Sequence, residues 1–182
     1  MSRISIPTLE QTPAATQPLL DGVKKQLGVV PNLMSVLGNS PAALGGYLAL
    51  SGALAKGGLG AKTGEGIALA IAEINGCRYC LAAHSYLGKN VAKLDDAEIA
   101  ANRNGGSSDP KADAAVRFAA TVALQRGHVS DAAVRAVKDA GYDDAEVMEI
   151  VVHVALNTLT NYVNEVAQTA IDFPAVSLRH AA

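Results

Sequence analysis

The residues of this chain best suited to chemistry are two cysteines and a histidine in one short stretch. Cys77 and Cys80 are the only cysteines among the 182 residues, and His84 follows four positions after the second. On an α-helix these positions fall at i, i+3 and i+7, so the three side chains share one face. Thiols three residues apart on a helix can form a disulfide without a large backbone movement. The spacing is typical of redox chemistry or metal binding, with a pair of small buried core residues as the third interpretation.

The residues before the first cysteine predict how the thiols are activated. Asn75-Gly76 indicates a helix break, which would place both thiols in the first turns of a new helix. The N-terminus of a helix carries positive partial charge and favours a thiolate over a thiol. His84, one turn after Cys80, would take or shuttle the departing proton. Because the chain can reverse at this break, the preceding helix would bring Glu65 beside His84 or Cys80 as the final proton acceptor.

The pattern Glu-x11-Cys-x-x-Cys-x3-His resembles the carboxymuconolactone decarboxylase superfamily, and within it the alkylhydroperoxidase D (AhpD)-like, peroxidase-related branch. Its four positions are filled here by Glu65, Cys77, Cys80 and His84. The stretches that are also similar to that branch are residues 75–84, 157–164 and 172–174. The resemblance covers about residues 31–174, which is most of the chain.

The resemblance implies both a fold and an activity. The fold is an all-helical subunit that assembles into homotrimers or homohexamers. The activity is that of an antioxidant oxidoreductase of peroxidase or peroxiredoxin type, which needs no cofactor beyond a redox-active disulfide. By position, Cys80 matches the peroxidatic thiol, Cys77 the resolving thiol, and His84 and Glu65 the proton relay. The implied partners are a hydroperoxide substrate and an external dithiol that donates electrons.

Tyr79 departs from the pattern of the family. Alkylhydroperoxidase D has a histidine directly before its second cysteine, where this chain has Tyr79. This difference weakens the transfer of the full relay and of the lipoyl-bearing electron donor. True carboxymuconolactone decarboxylases lack the paired cysteines, so the decarboxylase activity is not expected here.

The same residues fit further functions. A zinc site would use both cysteines and His84, with Glu65 as a fourth ligand. A thiol-disulfide oxidoreductase with little peroxidase activity would use the same pair of thiols. The non-enzymatic alternative is a metal-binding or assembly module. Glu65 is also a residue that the helix dipole favours in a first turn, without any role in proton transfer.

The elements that position these residues are predicted to be helices. Hydrophobic residues make up 49% of the chain and aromatic residues 4%, with no Trp, so small and aliphatic side chains must fill the core. Caps and apolar periodicity predict helices at residues 18–28, 40–56, 61–74, 77–87, 95–102, 109–126, 130–141 and 143–170. Pro31 is expected to interrupt the chain, and Gly88 to end the helix of the cysteines. The predicted fold is all-α, an AhpD-like helical bundle that oligomerises through apolar helices.

Residues 1–30 are assigned to an N-terminal arm with a short helix, 31–174 to the AhpD-like domain, and 175–182 to a C-terminal tail. Residues 104–110 are expected to form a flexible loop. The start of the chain lacks the apolar core of a signal peptide, and no apolar run approaches the roughly 18 residues of a membrane helix. We therefore expect a cytoplasmic protein without membrane contact, where reducing conditions disfavour a purely structural disulfide. A net charge of −2, with no basic patch interleaved with aromatic residues, gives no reason to expect nucleic acid.

The last predicted helix carries a polar row at i, i+4, i+8 and i+11, formed by His153, Asn157, Asn161 and Asn164. This row is interpreted as a second polar site in a pocket or as a hydrogen-bonded ladder buried between helices or subunits, and the ladder is favoured. Glu73 is expected to be a solvated surface charge. His128, in a turn, and His180, in the tail, are not expected to take part in chemistry.

Overall fold

The structure is a computed structural model that describes residues 2–8 and 11–179. These residues form nine α-helices and no strand, which confirms the predicted all-α fold. The helices are α1 (Gln17–Leu27), α2 (Asn32–Leu37), α3 (Pro41–Leu54), α4 (Ala61–Ile74), α5 (Arg78–Asn90), α6 (Asp96–Arg103), α7 (Pro110–Leu124), α8 (Asp131–Asp139) and α9 (Asp144–Ala167). No helix in the described part of the chain is long and apolar enough to cross a membrane.

Five helices begin at the side-chain caps that the sequence indicates. The N-caps, each accepting a hydrogen bond from a backbone N–H of the first turn, are Ser40, Asp95, Asp109, Ser130 and Asp143. The cap of α9 is a complete capping box, because the Glu146 side chain also accepts from the backbone N–H of Asp143. These helix starts are therefore local properties of the sequence.

The helix α2 was not predicted, because Pro31 was expected to interrupt the chain. Pro31 does separate α1 from the next helix, and it is also the N-cap residue of α2. Its missing N–H costs nothing there, since no intrahelical acceptor exists before the first turn. A helix of six residues is not stable by itself. The burial of Leu33, Met34, Val36 and Leu37 stabilises it, which is a tertiary effect.

The helix that carries the cysteines extends further than predicted. Gly88 does not end it, since α5 continues to Asn90. Gly88 is buried, and a Cβ atom at this position would lie 3.3 Å from Leu94 Cδ1. The glycine therefore allows the following segment to pack closely against α5.

The central helix of the fold is α4, which contacts α5, α6, α7 and α9. Its residues 66–72 are all buried, and its two sides belong to different apolar clusters. Leu69 packs in a cluster with both cysteines, whereas Ile67 and Ile71 pack in a second cluster with side chains of α7, α8 and α9. Because α4 is packed on both sides, Glu65 near its N-terminal end projects from a fixed element.

Glu73 is not the solvated surface charge that was predicted. Its side chain is only 9% exposed, and its Oε2 accepts a hydrogen bond from Arg103 Nε at 2.8 Å. Its Oε1 accepts from the backbone N–H of Arg179 at 2.6 Å. Glu73 therefore fastens the end of α6 and the C-terminal segment to α4. The prediction was wrong because these two partners lie 30 and 106 residues later in the chain.

The loop of residues 104–110, which was expected to be flexible, is hydrogen-bonded to Glu98. Ser107 Oγ donates to Oε1 of Glu98, while the N–H and Oγ of Ser108 donate to Oε2. Burial by itself raises the pKa of Glu98, but these bonds and one from Asn102 outweigh it and lower the pKa to about 2. The ionised carboxylate therefore holds the loop at neutral pH. The predicted division into arm, domain and tail stays a prediction.

Candidate active site

The turn between α4 and α5 positions both sulfur atoms. Gly76 has a φ angle of 67°, in the left-handed region that glycine adopts without strain. Cys77 is the N-cap residue of α5, and its Sγ accepts a hydrogen bond from the backbone N–H of Cys80 at 3.2 Å. A thiol thus occupies the place that serine or aspartate usually takes at a helix start. The predicted break before the cysteines is confirmed.

The two cysteines are joined in a disulfide, with their Cα atoms 5.4 Å apart. This separation lies within the ordinary range for disulfides. Both residues are buried, at 0% exposure for Cys77 and 2% for Cys80. Cys80 nevertheless lines a cavity of about 360 Å³, and Cys77 is not among the lining residues. The cavity therefore reaches one cysteine of the pair and not the other.

The wall of this cavity is mainly apolar. Its apolar side chains are Leu33, Leu54, Ala55, Leu59, Ala61, Ala68, Ala83, Leu87 and Leu156. The side chains that bring polar atoms to it are Tyr47, Ser51, Glu65, Tyr79, His84, His153, Asn157 and Thr160. A mainly apolar pocket with a few convergent polar groups is the usual form of a small-molecule site.

The structure brings Glu65 of α4 and His84 of α5 together in this cavity. Oε2 of Glu65 lies 2.9 Å from Nδ1 of His84, and the two side chains are about one-fifth exposed. An Nδ1–H that donates to the carboxylate leaves Nε2 as the nitrogen that accepts and returns a proton. Among the described residues, no hydrogen bond joins His84 directly to either cysteine. Proton transfer between His84 and Cys80 would therefore pass through water or substrate in the cavity.

Tyr79 holds the C-terminal segment as well as lining the cavity. Its hydroxyl accepts a hydrogen bond from the backbone N–H of Leu33 at 3.2 Å, and it is hydrogen-bonded to Asp172. Its ring packs edge-on against Phe173, with ring centroids 5.8 Å apart. Burial and the neighbouring carboxylate raise the pKa of Tyr79 far above its ordinary value. At the position where alkylhydroperoxidase D has a histidine, this chain therefore has a phenol that is protonated at neutral pH and that holds residues 33 and 172 by hydrogen bonds.

The polar row of α9 divides into two pairs. His153 and Asn157 line the cavity, the same one that Cys80 lines, so they do not form a second pocket. Asn161 Oδ1 accepts a hydrogen bond from Asn75 Nδ2 at 2.9 Å, as expected of a buried ladder between helices. Asn164 Nδ2 donates to Cys80 Sγ at 3.2 Å. The sequence did not predict this last contact, because helical periodicity identifies a polar face but not its partner.

The histidines differ in environment. Burial lowers the pKa of His153, and the opposing effects of Glu149 and Glu65 do not reverse this, so its imidazole is neutral at neutral pH. His128 is exposed in the turn after α7 and does not line the cavity, and His180 lies outside the described residues. Within the described part of the chain, no group of three or more His, Cys, Asp or Glu side chains is placed to hold a metal ion.

Comparison with known proteins supports the resemblance found in the sequence. The model of the carboxymuconolactone decarboxylase family matches residues 41–121. This segment runs from the start of α3 into α7 and contains Glu65, Cys77, Cys80 and His84. No curated protein matches the chain.

Solved structures share its fold. An AhpD-core, peroxidase-related protein from Ralstonia eutropha JMP134 superposes with a TM-score of 0.84 at 24% identity, over 94% of this chain and 92% of that one. A peroxidase-related protein from Silicibacter sp. TM1040 superposes with a TM-score of 0.81 at 21% identity, over 93% of this chain and 91% of that one. A cysteine-to-alanine variant of the debrominase Bmp8, in complex with 2,3,4-tribromopyrrole, superposes with a TM-score of 0.77 at 18% identity, over 94% of this chain and 92% of that one. At these identities the likeness establishes the fold.

Proposed function

We propose that this chain, whose residues 41–121 match the carboxymuconolactone decarboxylase family and whose fold is AhpD-like, is a thiol-dependent hydroperoxidase. The match supports a peroxidase-related function at the level of the family. The observation that carries the proposal is the shared cavity of Cys80, His84 and Glu65, with Cys77 in bonding reach of Cys80. AhpD-like proteins are thiol-dependent enzymes without a cofactor, and here the cysteine pair is the redox group.

The proposed cycle begins with the thiolate of Cys80, the cysteine that the cavity reaches. Its sulfur attacks the distal oxygen of the hydroperoxide, the O–O bond breaks, and Cys80 becomes a sulfenic acid while an alkoxide leaves. The Cys77 sulfur then attacks the Cys80 sulfur, which forms the disulfide and releases water. An external dithiol reduces the disulfide by thiol exchange and is itself oxidised. Each turnover therefore moves two electrons from the dithiol to the peroxide.

His84 and Glu65 supply the proton handling in this proposal. Nε2 of His84 accepts the proton of the Cys80 thiol and returns it to the leaving alkoxide. The Glu65 carboxylate, 2.9 Å from Nδ1, fixes the tautomer and stabilises the imidazolium that forms between these two steps. Both residues therefore act in the attack on peroxide.

Reductive dehalogenation of an aromatic substrate is a second candidate, favoured by the mainly apolar cavity wall and the shared fold of Bmp8. The thiol pair would supply the two electrons that replace a carbon–halogen bond with C–H, and the products would be halide and the disulfide.

A thiol-disulfide oxidoreductase would use the same cysteine pair without a peroxide, and a metal-binding or assembly module would use it without catalysis.

We expect mild peroxide to convert two free thiols per reduced chain to none, with the loss of two hydrogens and no intermolecular link. The reason is that the Cα atoms of the pair already lie at disulfide distance. Stopped-flow turnover with hydrogen peroxide and organic hydroperoxides, paired with mass spectrometry of both cysteines, measures this. Tribromopyrrole serves as the halogenated control substrate.

Each candidate function has a different outcome in this experiment. Cross-linked dimers as the main product would contradict the intramolecular cycle. Bromide release without a peroxide reaction would favour dehalogenation, and fast disulfide exchange alone would favour the oxidoreductase. Stoichiometric metal in the purified protein would favour the metal-binding module.

We further propose that the subunit forms a homotrimer or homohexamer. Exposed apolar side chains follow one face of α9, namely Met148, Leu159, Tyr162 and Val166. Burying this face against another copy would remove it from water. Light scattering should give three or six times the subunit mass of 18.6 kDa, and Tyr162→Asp should lower it. Leu124→Asp, at an exposed apolar residue of α7, is the control that should not. A wild-type monomer at micromolar concentration would contradict the proposal.

A further inference from the structure

The Cys80 sulfur has a side-chain partner that the proposed relay does not use. Asn164 Nδ2 donates a hydrogen bond to Cys80 Sγ at 3.2 Å, and both residues are only 2% exposed. We propose that Asn164 is a further catalytic residue, whose amide N–H stabilises the Cys80 thiolate and thereby sets its reactivity. A donor that bonds to the charged form of an ionisable group favours that form, and it does so most strongly where water is excluded.

The surroundings of Cys80 require such a donor. Cys80 packs in an apolar cluster with Leu69, Leu81 and other core residues, and burial of this kind disfavours a thiolate. The backbone N–H of Cys80 is already bonded to Cys77 Sγ. His84 makes no hydrogen bond to the sulfur among the described residues. Asn164 is thus the side chain that, among the described residues, donates a hydrogen bond to the attacking sulfur.

The other end of the same amide fits a role in the reaction cycle. Asn164 Oδ1 is buried and has no hydrogen-bond partner in the described part of the chain. An unpaired buried acceptor costs free energy, and a hydrogen-bond donor beside it would remove that cost. Disulfide sulfurs carry no hydrogen that could satisfy it. The thiol and sulfenic-acid forms of Cys80 each carry a hydrogen that can be donated.

This inference rests on the proposed function only in taking Cys80 as the attacking thiol. It is tested in a Cys77→Ser background, where Cys80 is the single thiol and serine can keep the N-cap. Alkylation of Cys80 by iodoacetamide is followed as a function of pH. With Asn164→Leu, the rate at pH 7 should fall about tenfold or more, as expected for the loss of a hydrogen bond to a charged group. The rates should converge with those of the parent at high pH, where the thiol ionises without help.

Asn164→Asp is the second variant, because it keeps the size and shape of the side chain. Its carboxylate would repel the thiolate, so alkylation at neutral pH should again be slower than in the parent. The matched control is Asn102→Leu, which removes a buried amide of α6 that is hydrogen-bonded to Glu98 and Gly106 and to neither cysteine. Its pH profile should be that of the parent.

The inference is overturned if folded Asn164→Leu and Asn164→Asp both titrate like the parent, or if Asn102→Leu shifts the profile equally. If Asn164→Leu does not fold by circular dichroism, Asn164→Asp decides alone. Failure of the proposed function has a different signature. In that case peroxide does not oxidise the Cys77→Ser parent, while iodoacetamide still alkylates Cys80 more slowly in the Asn164 variants than in the parent.

Discussion

Cys80→Ser should abolish the reaction with peroxide, whereas Cys77→Ser should consume one equivalent and stop at a sulfenic acid on Cys80. The cavity reaches Cys80 and not Cys77, so the attacking sulfur is missing in the first variant and present in the second. In the second variant no thiol remains to displace the hydroxyl, and the sulfenic acid accumulates. Serine at position 77 can still accept a hydrogen bond at the start of α5, which keeps the helix intact.

Single-turnover peroxide consumption, with mass spectrometry after trapping by a sulfenic-acid reagent, measures both variants. The control is the double variant, which should not react at all. The reverse pattern, an inert Cys77→Ser and a single-turnover Cys80→Ser, would mean that the roles of the two thiols are exchanged.

His84→Gln should lower the rate of peroxide reduction by about 10²- to 10⁴-fold, the usual contribution of general acid–base catalysis. Glutamine keeps a polar side chain of similar size but cannot take the proton of Cys80. The pKa of Cys80 should therefore rise, and a higher pH should restore part of the lost rate, because hydroxide then replaces the missing base. Thermal stability should change little, since His84 and Glu65 lie at the partly exposed edge of the cavity.

Glu65→Gln should likewise lower the rate of peroxide reduction and recover part of it at higher pH. Its loss of rate should be smaller if water can replace the carboxylate. The double variant should lose less than the sum of the two single losses in activation free energy, because the members of one relay act as a unit. His128→Gln is the matched control, since His128 is an exposed histidine that does not line the cavity. Its rate should equal that of the wild type.

Two outcomes would contradict the relay. If both variants unfold easily while the folded fraction keeps full activity, His84 and Glu65 are structural residues. If activity persists at neutral pH with normal stability, the helix N-terminus and Asn164 suffice to activate Cys80.

The sequence by itself determined the features that depend on near neighbours in the chain. Helix starts at Ser40, Asp109 and Asp143 follow from side chains that bond to backbone groups three residues later. The break at Gly76 and the placement of the two thiols at the N-cap and in the first turn of α5 follow in the same way. The spacing of Cys77, Cys80 and His84 on one helix was enough to predict a thiol site.

Only the tertiary structure decided which groups meet across helices. The sequence predicted Glu65 beside His84 or Cys80, and the structure places it 2.9 Å from His84. The contact of Asn164 with Cys80 and the burial of Glu73 by Arg103 join residues 84 and 30 positions apart. Helical periodicity states which face of a helix is polar or apolar. The distance between two such faces depends on how α4, α5, α6 and α9 pack around their shared core, which no local spacing specifies. For the same reason, the sequence identified the two thiols, but only the packed structure shows that Cys80 lines the cavity and Cys77 does not.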